Sequence, residues 1–357
     1  MTRFWRDMKI VECVPNFSVG RDGEVIGRIA DAIRGVQGAL LLDVSPGIDT
    51  NRTVYTFAGE PSAVLTAACS AVETGLQLID MSTHSGTHPR LGACDVCPFV
   101  PVSGVNMDDC IALACALGER VGHKLHIPVY LYAEAAKVHE RRALERIRAG
   151  EYEGLEAKLR DPGWRPDYGP AEYTERVRRS GALITGAREF LIAYNVNLNT
   201  QDRSVAARLA GEIREKGESE AERRGRTGGW SGSVNAGLKR LRFCRAIGWY
   251  IAEYGKAQVS MTLTNYRVTN MHHAFETVRE RALGAGVEVT GSEIVGLVPK
   301  AAIIESGMFY LGEKHGGTID EERIIEVAVE SLGLNDVVSF RPQEKVVEYC
   351  IKRVRKN

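Results

Sequence analysis

Residues 84–97 read HSGTHPRLGACDVC and place His84, His88, Cys94 and Cys97 within fourteen residues. All four side chains are common zinc ligands, and a loop imidazole is equally a common acid/base group. Two histidines four apart share a metal readily on a helix, where i and i+4 lie on one face. Gly86 and Pro89 spoil that geometry, because a proline drives the residue before it, His88, to extended backbone. Cys94 and Cys97 stand in a run that reads as a strand. A separation of three points them to opposite faces, and the intervening Asp95-Val96 is no turn signal. The spacing therefore argues against a metal. What remains is a Gly/Ser/Pro loop that presents polar groups ahead of a buried strand, the kind of element that carries chemistry. His88 titrates near neutral pH beside Arg90 and Asp95 and is the acid/base candidate. His123, His126 and His139 sit in amphipathic or helix-end contexts, and His272 and His273 open a helix.

Short apolar runs alternate with helical patterns around this loop. KIVECVPNF (9–17), ALLLDVSPG (39–47), NRTVYTFAG (51–59), ACDVCPFVPV (93–102) and IPVYLYAE (127–134) read as strands, the second of them as a continuous buried one. The spacing predicts helices over 22–35, 62–79 and 107–125. RRALERIRAGEYEGLEAKL (141–159) reads as one charged helix, and DPGWRPDYGP (161–170) as a rigid connecting loop. A second set follows, with strands at 190–198, 242–251, 257–266 and 287–299, and helices at 202–217, 271–286 and near 321–333. The pattern implies an α+β protein of two similarly built lobes joined near 140–185, with subdomains over 1–183 and 184–357.

The chain has 357 residues, long for a single core, and equal numbers of basic and acidic residues (46 each). A zero formal charge gives no global field toward nucleic acid or membrane. No apolar run is long enough to span a bilayer, and the N-terminus does not read as a signal peptide, so the expected location is the cytoplasm. The eight cysteines are then reduced, small hydrophobes. Residues 212–242 are rich in charge, Gly and Ser and read as a solvated basic loop; the sharper alternative is a docking surface for an anionic tail. No aromatic stacking motif on the predicted strands supports RNA binding.

Several blocks resemble glutamate formiminotransferase. They are VECVPNFS (11–18), DTNRTVYTFAG (49–59), LIDMSTHSGTHPRLGACDVCPFVPV (78–102), IPVYLYAEAA (127–136), IRAGEYEGLEAKL (147–159), PDYGP (166–170), TGAREFLIAYNVNL (185–198), AIGWYI (246–251) and VGLVP (295–299). The similarity runs from about residue 9 to residue 352. It implies transfer of a formimidoyl group between N-formimidoyl-L-glutamate and N5 of tetrahydrofolate, in histidine degradation and one-carbon metabolism. It also implies two ferredoxin-like subdomains with folate in the groove between them, a homodimer, and no metal. The cyclodeaminase part that is fused to the transferase in animals is not expected. The nearest alternative is a related folate-dependent transferase that uses another formyl or formimidoyl donor.

The resemblance places the catalytic histidine on His88 and the start of the folate stretch on Gly169-Pro170, running to about Gly181. Positions 171–180 are longer than the animal pattern and are not carried over. The two carboxylates of glutamate suit guanidinium forks, for which Arg52 and Arg90 are the candidates. A cationic formimidoyl carbon suits a nearby carboxylate, from Asp43, Asp49 or Asp95. Tyr168, Thr185, Asn195 and Asn197 could line a flat, polar-edged pterin.

Overall fold

The computed structural model describes residues 9–48, 50–86, 88–215, 240–312 and 319–356. It divides into two compact units, one of residues up to Glu189 together with the end of the chain from Ile351, the other spanning Phe190–Cys350.

The first unit starts with β1 (Ile10–Cys13) and β2 (Asn16–Phe17), two pieces of one interrupted strand. Helix α1 (Gly23–Arg34) follows, then β3 (Ala39–Gly47), β4 (Arg52–Gly59), α2 (Pro61–Leu78) and β5 (Cys94–Ser103). β4 pairs antiparallel with β3 on one side and with β1 and β2 on the other, and β1 and β2 pair antiparallel with β5. The first strand thus lies between the third and the fourth, which is the ferredoxin-like β-α-β-β-α-β arrangement. Helix α3 (Met107–Lys124) then leads to β6 (Val129–Ala133), and β7 (Leu183–Ala187) inserts between β5 and β6, parallel to both.

Local chemistry accounts for these elements. The Asp22 carboxylate accepts from the backbone N–H of Glu24 and Val25 and so starts α1, whose inner face buries Ile29, Ala30 and Ile33. Asn106 and Asp109 form a capping box at the head of α3. Gly75 lets α2 lie against the Phe17 ring, which a Cβ there would approach to 2.5 Å. Phe17 in turn meets Tyr55 edge-on at 5.5 Å in a core completed by Phe57 and Phe99.

Three sequence expectations change. β3 is not a buried strand but an edge strand, paired only with β4 and mostly half-buried. Cys94 and Cys97 do not face opposite ways. β5 bulges here, so that Phe17 pairs with Cys94 while Asn16 pairs with Val96, and both cysteines enter the same core. Cys97 Sγ lies 3.5 Å from Cys13 Sγ. Finally, 141–159 is not one helix. It contains α4 (Leu144–Arg148) and α5 (Leu155–Arg160), split where Gly150 (φ +85°) and Glu151 (φ +53°) turn left-handed. A further short helix, α6 (Glu175–Ser180), is capped by Thr174.

The second unit repeats the plan as β8 (Ile192–Leu198), α7 (Arg203–Ile213), β9 (Cys244–Ile251), β10 (Lys256–Leu263), α8 (Met271–Gly284) and β11 (Val289–Val295). Its antiparallel sheet has the order β11-β8-β10-β9, again with the first strand between the third and fourth. The protein is therefore α+β with two ferredoxin-like subdomains. Helices α9 (Lys300–Leu311), α10 (Glu321–Ser331), α11 (Pro342–Lys345) and α12 (Val347–Lys356) follow; α9 is apolar almost all round and lacks the periodicity that reveals a helix in sequence. Most of the basic stretch 212–242 (216–239) lies outside the described residues. Among the described residues no helix is long and apolar enough to cross a membrane.

Candidate active site

The end of β2 and the starts of β4 and β5 lie side by side, since Phe17 pairs with both Thr53 and Cys94. Arg52 opens β4 and Asp95 is the second residue of β5, and this register brings them together. Arg52 Nη1 donates to Asp95 Oδ2 at 2.6 Å, and its Nε donates to Asn16 Oδ1 at 3.2 Å. Arg148, the last residue of α4, donates from Nη2 to the same Oδ2 at 2.5 Å and from Nε to Oδ1 at 3.4 Å. The backbone N–H of Leu91 donates to Oδ1 at 2.9 Å. Asp95 is wholly buried; burial opposes its charge, but the two guanidiniums hold its carboxyl below the usual carboxylate range.

His88 stands on the loop above this knot, half-buried. Its Nδ1–H donates to the Pro89 carbonyl at 2.7 Å, which leaves the lone pair on Nε2. Burial, and then the Arg52 charge, push its pKa below the ordinary 6.5, so the imidazole is neutral at pH 7. His84 is differently placed. Its Nε2–H donates to the Asn51 carbonyl at 2.9 Å and its Nδ1 accepts from Arg90 Nε at 3.3 Å. Both ring nitrogens are thus occupied. Asn51 holds the loop from the other side: in a left-handed conformation (φ +46°) it accepts from Gly20 N and donates to the Ser85 carbonyl at 3.0 Å.

Arg90 makes a two-pronged contact with Glu153 (2.6 and 2.7 Å) and a third bond to Glu151 (3.1 Å). Its carbonyl accepts from Tyr152 N at 2.9 Å, so the segment that splits α4 from α5 is tied to the histidine loop. A cavity of about 490 Å³ opens here, lined by His84, Ser85, Gly86, Arg90, Gly150, Glu151 and Glu153. A larger one, about 720 Å³, belongs to the second unit and is walled by carboxylates of α10 with no histidine.

The other sequence candidates fall into distinct places. Asp43 lies opposite Thr56 along β4, four residues from the Arg52 end, and accepts from Ser45 Oγ at 2.6 Å; the structure does not bring it to the knot. Asp49 lies outside the described residues. Gly181 touches the site's floor. It has φ +66°, a Cβ there would fall 2.3 Å from the Leu91 carbonyl, and Ala93 N donates to the Ser180 carbonyl at 2.7 Å. Tyr168 and Gly169 pack against α3 instead. The Tyr168 ring lies against Gly118 and its Cβ and backbone against Gly122, its hydroxyl is pushed up to about 12 by burial, and Gly169 (φ +81°) abuts the Ile127 carbonyl, with Pro170 next in the chain. Thr185 donates to the Cys97 carbonyl at 2.8 Å. Asn195 and Asn197 belong to the second unit, where they donate to Glu293 and Asp336. Among the described residues no group of three or more His, Cys, Asp or Glu is arranged to hold a metal ion.

Arg148, Asn51 and the Glu151/Glu153 pair carry parts of this geometry that residue type alone did not reveal. Arg148, Glu151 and Glu153 lie in the family-like block 147–159, which was the available signal.

Comparison with known proteins accords with the geometry. Residues 10–188 match the family model "Formiminotransferase domain, N-terminal subdomain", and residues 193–352 match "Formiminotransferase domain". Glutamate formimidoyltransferase of Thermoplasma acidophilum is 42% identical over 325 residues, covering 90% of this chain and 98% of its own. The Streptococcus pyogenes protein of the same name is 36% identical over 303 residues, covering 85% and 93%. Formimidoyltransferase-cyclodeaminase of Dictyostelium discoideum is 44% identical over 345 residues, which is 96% of this chain; the chain spans 60% of that relative's length. Two matched subdomains, each a ferredoxin-like unit, and the two relatives matched over 98% and 93% of their own length establish that the chain belongs to the formiminotransferase domain family.

Proposed function

We propose that the protein is a folate-dependent glutamate formimidoyltransferase, which moves the formimidoyl group between N-formimidoyl-L-glutamate and N5 of tetrahydrofolate. The observation that carries this reading is similarity over 98% of the length of a relative bearing that name. The loop chemistry agrees with it. N5 attacks the formimidoyl carbon, and a base takes the proton that the amine loses. The tetrahedral adduct then collapses, and the same proton passes to the departing glutamate nitrogen. A neutral imidazole whose Nε2 meets no partner among the described residues serves both transfers, and His88 is that group. Tetrahydrofolate is a co-substrate, and Tyr168, Gly169, Pro170 and Gly181 are the proposed folate contacts of the first unit. Within this reading the enzyme works in histidine degradation and one-carbon metabolism, as a cytoplasmic homodimer.

The test is spectrophotometric. Protein, tetrahydrofolate and N-formimidoyl-L-glutamate are mixed and acidified, and absorbance of the 5,10-methenyl product is followed. Turnover by the wild type is expected. A folded protein that shows none with this donor but turns over a formyl donor overturns the assignment.

A further inference from the structure

The charges around the histidine loop are not balanced alike. Arg90 is one cation between two carboxylates, Glu151 and Glu153. Asp95 is one carboxylate between two cations, Arg52 and Arg148. The side chains of Arg52 and Arg148 keep only 8% and 14% of their exposure, so water screens them poorly and one positive charge stands unmatched. Arg52 uses Nε and Nη1 on Asn16 and Asp95, and Arg148 uses Nε and Nη2 on Asp95. The remaining Nη group of each meets no acceptor among the described residues. A poorly solvated surplus cation with vacant, planar N–H donors fits an anion that arrives with the substrate.

We infer that Arg148, paired with Arg52 on the shared Asp95 carboxylate, binds a carboxylate of the donor substrate, and that Arg90 does not. The inference rests on the donor reading above. Asp95 acts here as a positioning residue. It touches no substrate, fixes both guanidinium planes, and leaves a net charge of one for the ligand. Arg90, whose guanidinium already meets three carboxylate oxygens, secures the 148–154 turn that carries Arg148.

Steady-state kinetics of the full chain test this, with N-formimidoyl-L-glutamate and tetrahydrofolate varied separately, alongside calorimetric titration with L-glutamate. Arg148→Gln is expected to raise the donor KM roughly a hundredfold, the scale for losing one arm of a buried charged contact, with the tetrahydrofolate KM unchanged. Arg148→Lys keeps the charge, loses the fork, and recovers part of the loss. It also carries the test if the glutamine variant fails to fold. A folded Arg148 variant with the wild-type donor KM overturns the inference while the transferase reading stands. A rise in the tetrahydrofolate KM alone overturns it in favour of a folate carboxylate. If the wild type does not turn over this donor, yet L-glutamate binding still depends on Arg148, the donor reading fails and the carboxylate site stands.

Discussion

Arg52 and Asp95 meet at 2.6 Å where Asp95 has no exposed surface and the Arg52 side chain keeps 8%. They are 43 residues apart in sequence and join two strands at one end of the first sheet. Asp95→Asn leaves two buried guanidiniums without their counter-ion, a change worth about 3–5 kcal/mol of stability. Urea unfolding at pH 7 measures it. A loss under about 1 kcal/mol contradicts the account.

The same carboxyl gives stability a direction with pH. Its native pKa lies below the ordinary 3.8, so its contribution is fully present above that value and is lost as pH falls through the depressed native one. Wild-type stability is therefore expected to drop below about pH 4 more steeply than that of Asp95→Asn. Parallel acid profiles of the two proteins would remove Asp95 as the source.

His88→Ala is expected to lower turnover by about a hundredfold or more, the usual scale for a lost acid/base group. In the wild type the acidic limb of kcat/KM falls below the ordinary histidine value of 6.5, since burial and the Arg52 charge favour the neutral ring. Arg148 also pushes that pKa down, so Arg148→Gln moves the limb toward higher pH. A limb that stays in place in the Arg148 variant argues that another group titrates.

Gly181→Ala tests the contact between the loop floor and the segment after α6. The residue is left-handed, and the new Cβ meets the Leu91 carbonyl at 2.3 Å. A loss of about 2 kcal/mol or more is expected, from strain and from displacement of Leu91–Gly92. Because Leu91 N also holds Asp95, activity should fall further than the thermal melting point implies.

Glu153→Gln weakens the Arg90 fork. Its side chain is 64% exposed, so stability changes by no more than about 1 kcal/mol. Activity is expected to fall several-fold through a looser 148–154 turn, seen as a higher donor KM with little change in the melting point.

Most strands and the longer amphipathic helices were legible because each repeats its apolar residues at its own period, whereas β7, α6, α9, α11 and α12 were not read from the sequence. His88, Arg52 and Asp95 stand out by residue type within blocks that resemble a family, and the structure brings Arg52 against Asp95. Arg148 was hidden. LERIRAGEYEGLEAKL is rich in helix formers, and the segment broken at Gly150-Glu151 is also tied to the distant Arg90, whose side chain holds Glu151 and Glu153 and whose carbonyl holds Tyr152 N. The choice among Asp43, Asp49 and Asp95 could not be made from sequence for a related reason. Carboxylates of equal chemistry are separated only by register, and Asp43 falls opposite Thr56. The bulge that brings Cys94 and Cys97 into one core lies in strand pairing, which no local spacing records.

The nesting of the first strand between the third and the fourth has a consequence for synthesis. As the chain leaves the ribosome, residues 10–17 must wait for β4 and then for β5 before both their edges are paired. Arg52 emerges 43 residues ahead of the carboxylate that neutralises it, and Arg148 arrives 53 residues after that carboxylate. The site thus has no half-built form. Chains stalled near residue 90 should be digested readily by protease, and chains stalled past β7 should resist; equal digestion of the two would show that the order of emergence does not govern assembly.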